Sequence, residues 1–203
     1  MLHVGEEADS GIFRVHKHLI CQASLVFKAN FVGGVAENSK QMMLLPHESK
    51  DVVERFVQWL YTKDFELSDD TNAEGAPDCY QQLAELHVFA DRYGISKLNN
   101  LVVDKFFVLG NNFESRPLPP SVVTYIYAYS TKQSSFRKLL VGLFSCYMTA
   151  GHYDLPSIRG WLEQTSEFTA DLAITMVERM EGFPTLEAFS SSEPKDYYDE
   201  VKE

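Results

Sequence analysis

The stretch from Ser49 to Phe65, SKDVVERFVQWLYTKDF, carries the reading on which the fold class turns. Val52, Val53, Phe56, Val57, Leu60 and Tyr61 recur every three or four residues, which places them on one face of an α-helix. Glu54, Arg55 and Gln58 are read onto the other side. Ser49 stands where a hydroxyl can cap the first turn. A helix with a single apolar face needs a layer to cover it, so the flanking sequence is read for that layer.

Toward the N-terminus, Leu2-His3-Val4 alternates, Gly5 to Gly11 is polar, and Ile12-Phe13-Arg14-Val15 is again strand-like. Two short strands joined by a loop are expected. The segment HKHLICQASLVFKANF, from His16, predicts two short helices, the second starting at an N-cap on Ser24 and anchored by Phe27 and Phe31. Gly33-Gly34 then stops that helix, because glycine takes the left-handed terminal conformation without steric cost. Met42 to Leu45 is expected as a buried strand halted by Pro46.

Toward the C-terminus, LSDDTNAEGAP (Leu67 to Pro77) is the most polar loop of the chain. Asp78 is placed to cap DCYQQLAELHVFADRYG, with Gln81 closing a capping box and Gly94-Ile95 forming a Schellman-type stop. Ser96 starts a further helix with Leu98, Leu101, Val102 and Leu109 on one side. Short strands sheathed by helical hairpins make an α+β unit, residues 1–109.

Beyond it, NNFESRPLPP reads as a linker in which Pro119-Pro120 begins a helix. Helical spacing follows at Val122 to Tyr129, at Phe136, Leu139, Leu140, Leu143, Phe144 and Tyr147 up to Gly151, and at Leu172 to Met180. Residues 110–189 are therefore expected as an all-α extension. Residues 190–203, containing EPKDYYDEVKE, concentrate acids without an apolar face and are expected as a disordered, solvated tail.

Composition narrows the function classes. With 18 Lys+Arg against 29 Asp+Glu, the net charge of -11 repels phosphate backbones and anionic lipid, so neither nucleic acid nor membrane is an expected partner. No apolar run reaches the roughly 20 residues of a membrane span, and the N-terminus turns acidic too early for a signal peptide. Three scattered cysteines, Cys21, Cys79 and Cys146, suit a reducing, intracellular setting, nuclear or cytoplasmic. No phosphate-binding glycine loop, zinc-protease helix or nucleophile elbow occurs, and no cofactor is implied. His16 and His18 point about 200° apart on a helix and do not converge on a metal. An enzyme using Cys21 with a nearby histidine stays as a lesser alternative.

Several of these pieces, in this order, resemble the BTB/POZ domain family over residues 1–109. Val15-His16-Lys17-His18-Leu19 is similar to the family's strand-to-helix junction, and Phe56 through Tyr61 followed by Phe65 to its "F…WLYT…" helix and strand. Ala90-Asp91-Arg92-Tyr93-Gly94-Ile95 with Leu98 is similar to its A-[DE]-x-[YF]-x-[IVM]-x-x-L helix pair. The second half, with PPSVVTYIYAYST and FRKLLVGLFSCYM, resembles the helical extension of stand-alone fungal BTB proteins. The resemblance implies a sheet of three to five short strands flanked by helical hairpins.

It also implies a non-enzymatic protein-interaction module. Some family members are substrate adaptors of cullin-3 RING ubiquitin ligases and carry a hydrophobic-x-acid motif in the loop after the aromatic helix. Here Val35-Ala36-Glu37 stands at that place, just beyond Phe31. The competing reading is a homo- or hetero-oligomerising scaffold in transcription or signalling with no cullin role. Self-association in the family uses the first helix, here His16, Lys17, Leu19, Ile20 and Ala23, and sometimes an exchanged N-terminal strand. This chain starts too late to supply that strand, so a weaker or absent homodimer is as much expected as a strong one. No MATH, Kelch or zinc-finger module is recognisable as a substrate holder.

Overall fold

The computed structural model of the 203-residue chain describes residues 1–5, 10–32, 42–67, 79–111, 117–182 and 193–200. The chain divides into two compact units, Met1–Asn99 and Asn100–Glu203. In the first, β1 (Leu2–Val4) lies between β2 (Gly11–Phe13), which is antiparallel to it, and β3 (Met43–Leu45), which is parallel. Alternation along the strands turns Leu2, Val4 and Leu45 into the core. His3 pairs with Ile12 on one side and Leu44 on the other, so these three share the opposite face. The strand expected to be buried from Met42 to Leu45 is thus buried only at Leu45, because register with β1 turns Leu44 outward beside His3.

Two short helices follow as expected, α1 (Lys17–Ala23) and α2 (Leu25–Val32). Ser24 joins them: its hydroxyl accepts the Phe27 N–H at 3.1 Å and donates to the Tyr93 carbonyl. Phe27 is fully buried, with its ring stacked against Phe56 (5.6 Å) and Tyr93 (4.8 Å). Helix α3 (Lys50–Thr62) starts where the sequence predicts, with Ser49 Oγ accepting the Val52 N–H at 3.3 Å. It ends at Lys63, whose φ of 63° is uncommon for a residue with a side chain.

Three details of this helix depart from the sequence reading. Arg55, read as outward-facing, is buried, because α4 (Cys79–Arg92) covers that side and Gln82 supplies a carbonyl oxygen to its Nη2 at 2.6 Å. Tyr61, read as part of the apolar face, is exposed and uses its hydroxyl on His16. No strand forms at Phe65. The Phe65 N–H is taken by Asp64 Oδ1 (2.8 Å) and the Glu66 N–H by Gln58 Oε1 (3.0 Å), while the Phe65 ring is buried.

Helix α4 ends in the expected Schellman motif: Ile95 N–H bonds Ala90 O at 2.8 Å and Gly94 N–H bonds Asp91 O at 3.1 Å. Gly94 has φ +63°, and a Cβ there would meet nothing within 4 Å. Gly94→Ala should therefore lower stability through the backbone alone, by about 1 kcal/mol, read as a drop in urea midpoint at unchanged slope. Asp78, expected to cap α4, lies outside the described residues; the Gln81 amide bonds forward to Glu85 Oε1 at 2.9 Å. Helix α5 (Ser96–Asn111) follows, with Leu98 and Val102 fully buried and Leu101 and Leu109 half-buried.

The described part of the second unit is helical. Beyond α5 come α6 (Pro120–Tyr129), begun by its proline, α7 (Ser135–Thr149), α8 (Leu155–Gln164) and α9 (Ser166–Gly182). From Phe136 to Tyr147 every residue of α7 but Lys138 is buried, the pattern of a helix at the centre of its bundle. Its one buried charge, Arg137, donates to the Tyr127 and Ser130 carbonyls (2.7 Å each) and pairs with Glu167 at 3.1 Å. Phe144 gathers Tyr153, Trp161 and Phe168 around it at 4.4–5.4 Å.

The terminal residues differ from the expected solvated tail. Pro194–Tyr197 form a 3₁₀ turn, and Tyr197, Tyr198 and Asp199 contact α5.

Candidate protein-interaction surface

The approach to α1 is held by one residue pair. The His16 N–H donates to the Tyr61 hydroxyl at 3.1 Å, and that hydroxyl lies 2.7 Å from His16 Nδ1. An oxygen that accepts from the backbone can still donate its own proton to Nδ1, which leaves Nε2 as the protonated ring nitrogen. This contact explains how α1 begins without a side-chain cap.

The residues expected to mediate self-association do not share one surface. His16 and Lys17 are exposed, Leu19 and Ala23 are half-exposed, and Ile20 is fully buried. Ile20 is a core residue and cannot be part of an interface while unit one is folded. Its neighbour Leu19 faces out because a helix of seven residues has room for only one inward line.

Among the described residues of the first unit, two apolar areas are exposed to water. The outer sheet face presents Ile12 (60% exposed) and Leu44 (64% exposed) flanking His3. On α2, Leu25 (62%) and Val26 (39%) are exposed and Phe31, on the last turn, is half-exposed. Scattered apolar residues are normal on a surface, whereas a row in register across three strands is a feature to which a partner can fit. Val35 and Glu37, the expected docking pair, lie outside the described residues.

The family model of the BTB/POZ domain matches residues 1–106, more than half of the chain. The chain belongs to the BTB/POZ family. BTB/POZ domains are typically protein–protein interaction modules, and this chain carries one as an α+β domain followed by helices. No curated protein matches it.

Cys21 and Cys79 are half-exposed and Cys146 is buried, and none of the three is in a disulfide. Among the described residues no group of three or more His, Cys, Asp and Glu side chains could hold a metal ion, and no helix is long and apolar enough to cross a membrane. A cleft of about 660 Å³ on the second unit is lined by Lys132, Arg137, Lys138, Asp171, Glu178 and Tyr197, among others. Three of its charged groups have partners just outside it: Lys132 and Arg137 both reach Glu167, and Asp171 accepts the Tyr127 hydroxyl at 2.6 Å.

Sequence reasoning passed over the Ile12–His3–Leu44 row. The signal for it was the period-two alternation, with Leu2 and Val4 inward and His3 outward. That parity carries to β2 and β3 only through the pairing register, which a single sequence does not contain.

Proposed function

We propose that this BTB/POZ chain is an adaptor for a cullin-3 RING ubiquitin ligase, docking the cullin through Val35 and Glu37. The observation that carries the reading is the family match over residues 1–106 together with the motif Val35-Ala36-Glu37. Helix α2 supports it: it ends at Val32, three residues before Val35, and leaves Phe31 half-exposed on its last turn. Val35 would serve as an apolar anchor in a pocket of a cullin helix, with Phe31 at its margin. Glu37 would fix orientation through a polar contact, and a protein partner binds without cofactor or metal.

Valine is a small anchor, about one methylene short of leucine, and forfeits roughly 1 kcal/mol of burial. Binding in the micromolar range is expected rather than nanomolar. The double variant Val35→Asp, Glu37→Lys should abolish co-purification with a cullin-3 N-terminal fragment while leaving the thermal midpoint unchanged. Undiminished capture by that variant would remove the loop from the mechanism.

A self-associating scaffold is the second reading, and the exposed Ile12 and Leu44 favour it. Lys17, Leu19 and Ala23 on α1 remain accessible to a second copy as well. This reading places function in the nucleus or cytoplasm without a ligase, and it predicts that partner capture is indifferent to the loop variant.

A further inference from the structure

The terminal residues lie on α5 in the manner of a bound peptide. The 3₁₀ turn is closed on itself by a capping box between Glu193 and Asp196, the Glu193 N–H donating to Asp196 Oδ2 at 3.0 Å. Past the turn the backbone extends, with Tyr198 at φ -76°, ψ 145°. Asn100 then holds Asp199 by its main chain at both ends: Oδ1 accepts the Asp199 N–H at 2.9 Å and Nδ2 donates to the Asp199 carbonyl at 3.3 Å. Asp104 accepts the Tyr198 hydroxyl. The Phe107 ring meets the Tyr197 ring at 5.9 Å between centroids.

Positions 100, 104 and 107 are spaced i, i+4, i+7 and form one stripe along α5, and the peptide descends it in the opposite direction. Each position reads a different property. An amide that satisfies the N–H and C=O of one residue grips any side chain at that place, as strand-adding recognition does. A carboxylate accepting a phenol O–H requires tyrosine: phenylalanine leaves Asp104 without that bond, and a phosphorylated tyrosine meets it with like charge. The burial around Tyr198 and its contact with Asp104 push its phenol up to about 12, so the neutral donor is the form present.

We propose that Asn100, Asp104 and Phe107 form a peptide-binding site for extended segments of the pattern aromatic-Tyr-X. Residues 197–199 occupy it as an intramolecular competitor. The partner is a segment with two adjacent aromatic residues, the second an unmodified tyrosine. The internal ligand belongs to the same chain as the site, so its binding is intramolecular and independent of protein concentration. A partner must displace it, so apparent affinity is reduced by the fraction of sites the tail occupies. The site is independent of whether a cullin binds the first unit.

The test uses a fluorescein-labelled peptide, EPKDYYDE, titrated by anisotropy against three full-length proteins. These are the parent chain, the tail variant Tyr197→Ala, Tyr198→Ala, and the tail variant with Asn100→Leu added. The tail variant should bind at least tenfold more tightly than the parent, and Asn100→Leu should remove most of that gain. Replacing the second tyrosine of the peptide by phenylalanine or phosphotyrosine should weaken binding about tenfold. Equal binding by parent and tail variant, absence of binding to both, or indifference to Asn100→Leu overturns the proposal. Loss of the helical circular dichroism signal in the tail variant also overturns it, since the segment would then be a structural part of its unit.

Discussion

Phe27→Ala should remove roughly 3–5 kcal/mol from the stability of the first unit, the range for truncating a fully buried aromatic. Phe27 has no exposed surface, and its ring bridges α2 to α3 through Phe56 and to the Gly94 turn through Tyr93. Tyr93 is tied in turn to Glu48, which accepts its hydroxyl at 3.1 Å and pairs with Arg92. Removing the ring leaves a cavity among aromatic groups that are held by neighbours on several elements, so collapse around it is limited. Since domains of this size are stable by only about 5–15 kcal/mol, a loss of that size should lower the urea midpoint markedly. Phe31→Ala, on the half-exposed side of the same helix, should cost about 1 kcal/mol. Urea titrations that give the two variants equal midpoints would contradict this account of the core.

The second large effect is acid sensitivity centred on His87. This residue is 4% exposed on α4, and burial pushes its pKa down from 6.5 to about 3, partly opposed by a hydrogen bond with Asn99. In the unfolded chain the imidazole takes up a proton below about pH 6.5, whereas in the folded unit it stays neutral until about pH 3. The stability it contributes is therefore complete above pH 6.5 and is lost as pH falls toward 3. The slope approaches 1.4 kcal/mol per pH unit, and about 2 kcal/mol should be gone by pH 5. Carboxylates titrate mainly below that window, so His87→Gln should flatten the profile between pH 6.5 and 5. A parent protein equally stable at pH 7 and pH 5 would show that His87 is not held neutral.

How much of this was legible in the sequence differs by element, for physical reasons. The Ser24 and Ser49 caps, the proline start of α6 and the Gly94-Ile95 stop were readable because their causes lie within a few residues of each other. Gly151 was readable in the same way, with φ +77° closing α7. Arg55 was not, since what buries it is Gln82, 27 residues on, in another helix. Leu44 and Leu45 are identical in type, and only pairing with β1 decides which of them faces water. Helix α8 was passed over because Pro156 and Gly160 interrupt its pattern and only Ile158 is buried. Its local signal was nonetheless present in Asp154, whose carboxylate accepts the Ser157 N–H at 3.2 Å.

The candidate sites follow the same division. Val35 and Glu37 were legible as a motif through the family resemblance, and their geometry lies outside the described residues. Ile20 was misassigned to a surface because a seven-residue helix gives too few positions to fix which side is buried. The terminal tyrosines were read with their acidic neighbours as solvated, since Asn100 and Asp104, which hold them, are 99 and 94 residues away. Charge density predicts solvation only where no complementary stripe exists elsewhere in the chain, and a single sequence does not show that stripe.

The most direct test of the interaction role is isothermal titration of the full-length chain with the N-terminal region of cullin-3. The account predicts saturable binding at one site, with a micromolar dissociation constant, and no detectable heat for the Val35→Asp, Glu37→Lys variant. The absence of binding by the parent chain, or binding that the double variant leaves intact, would contradict it.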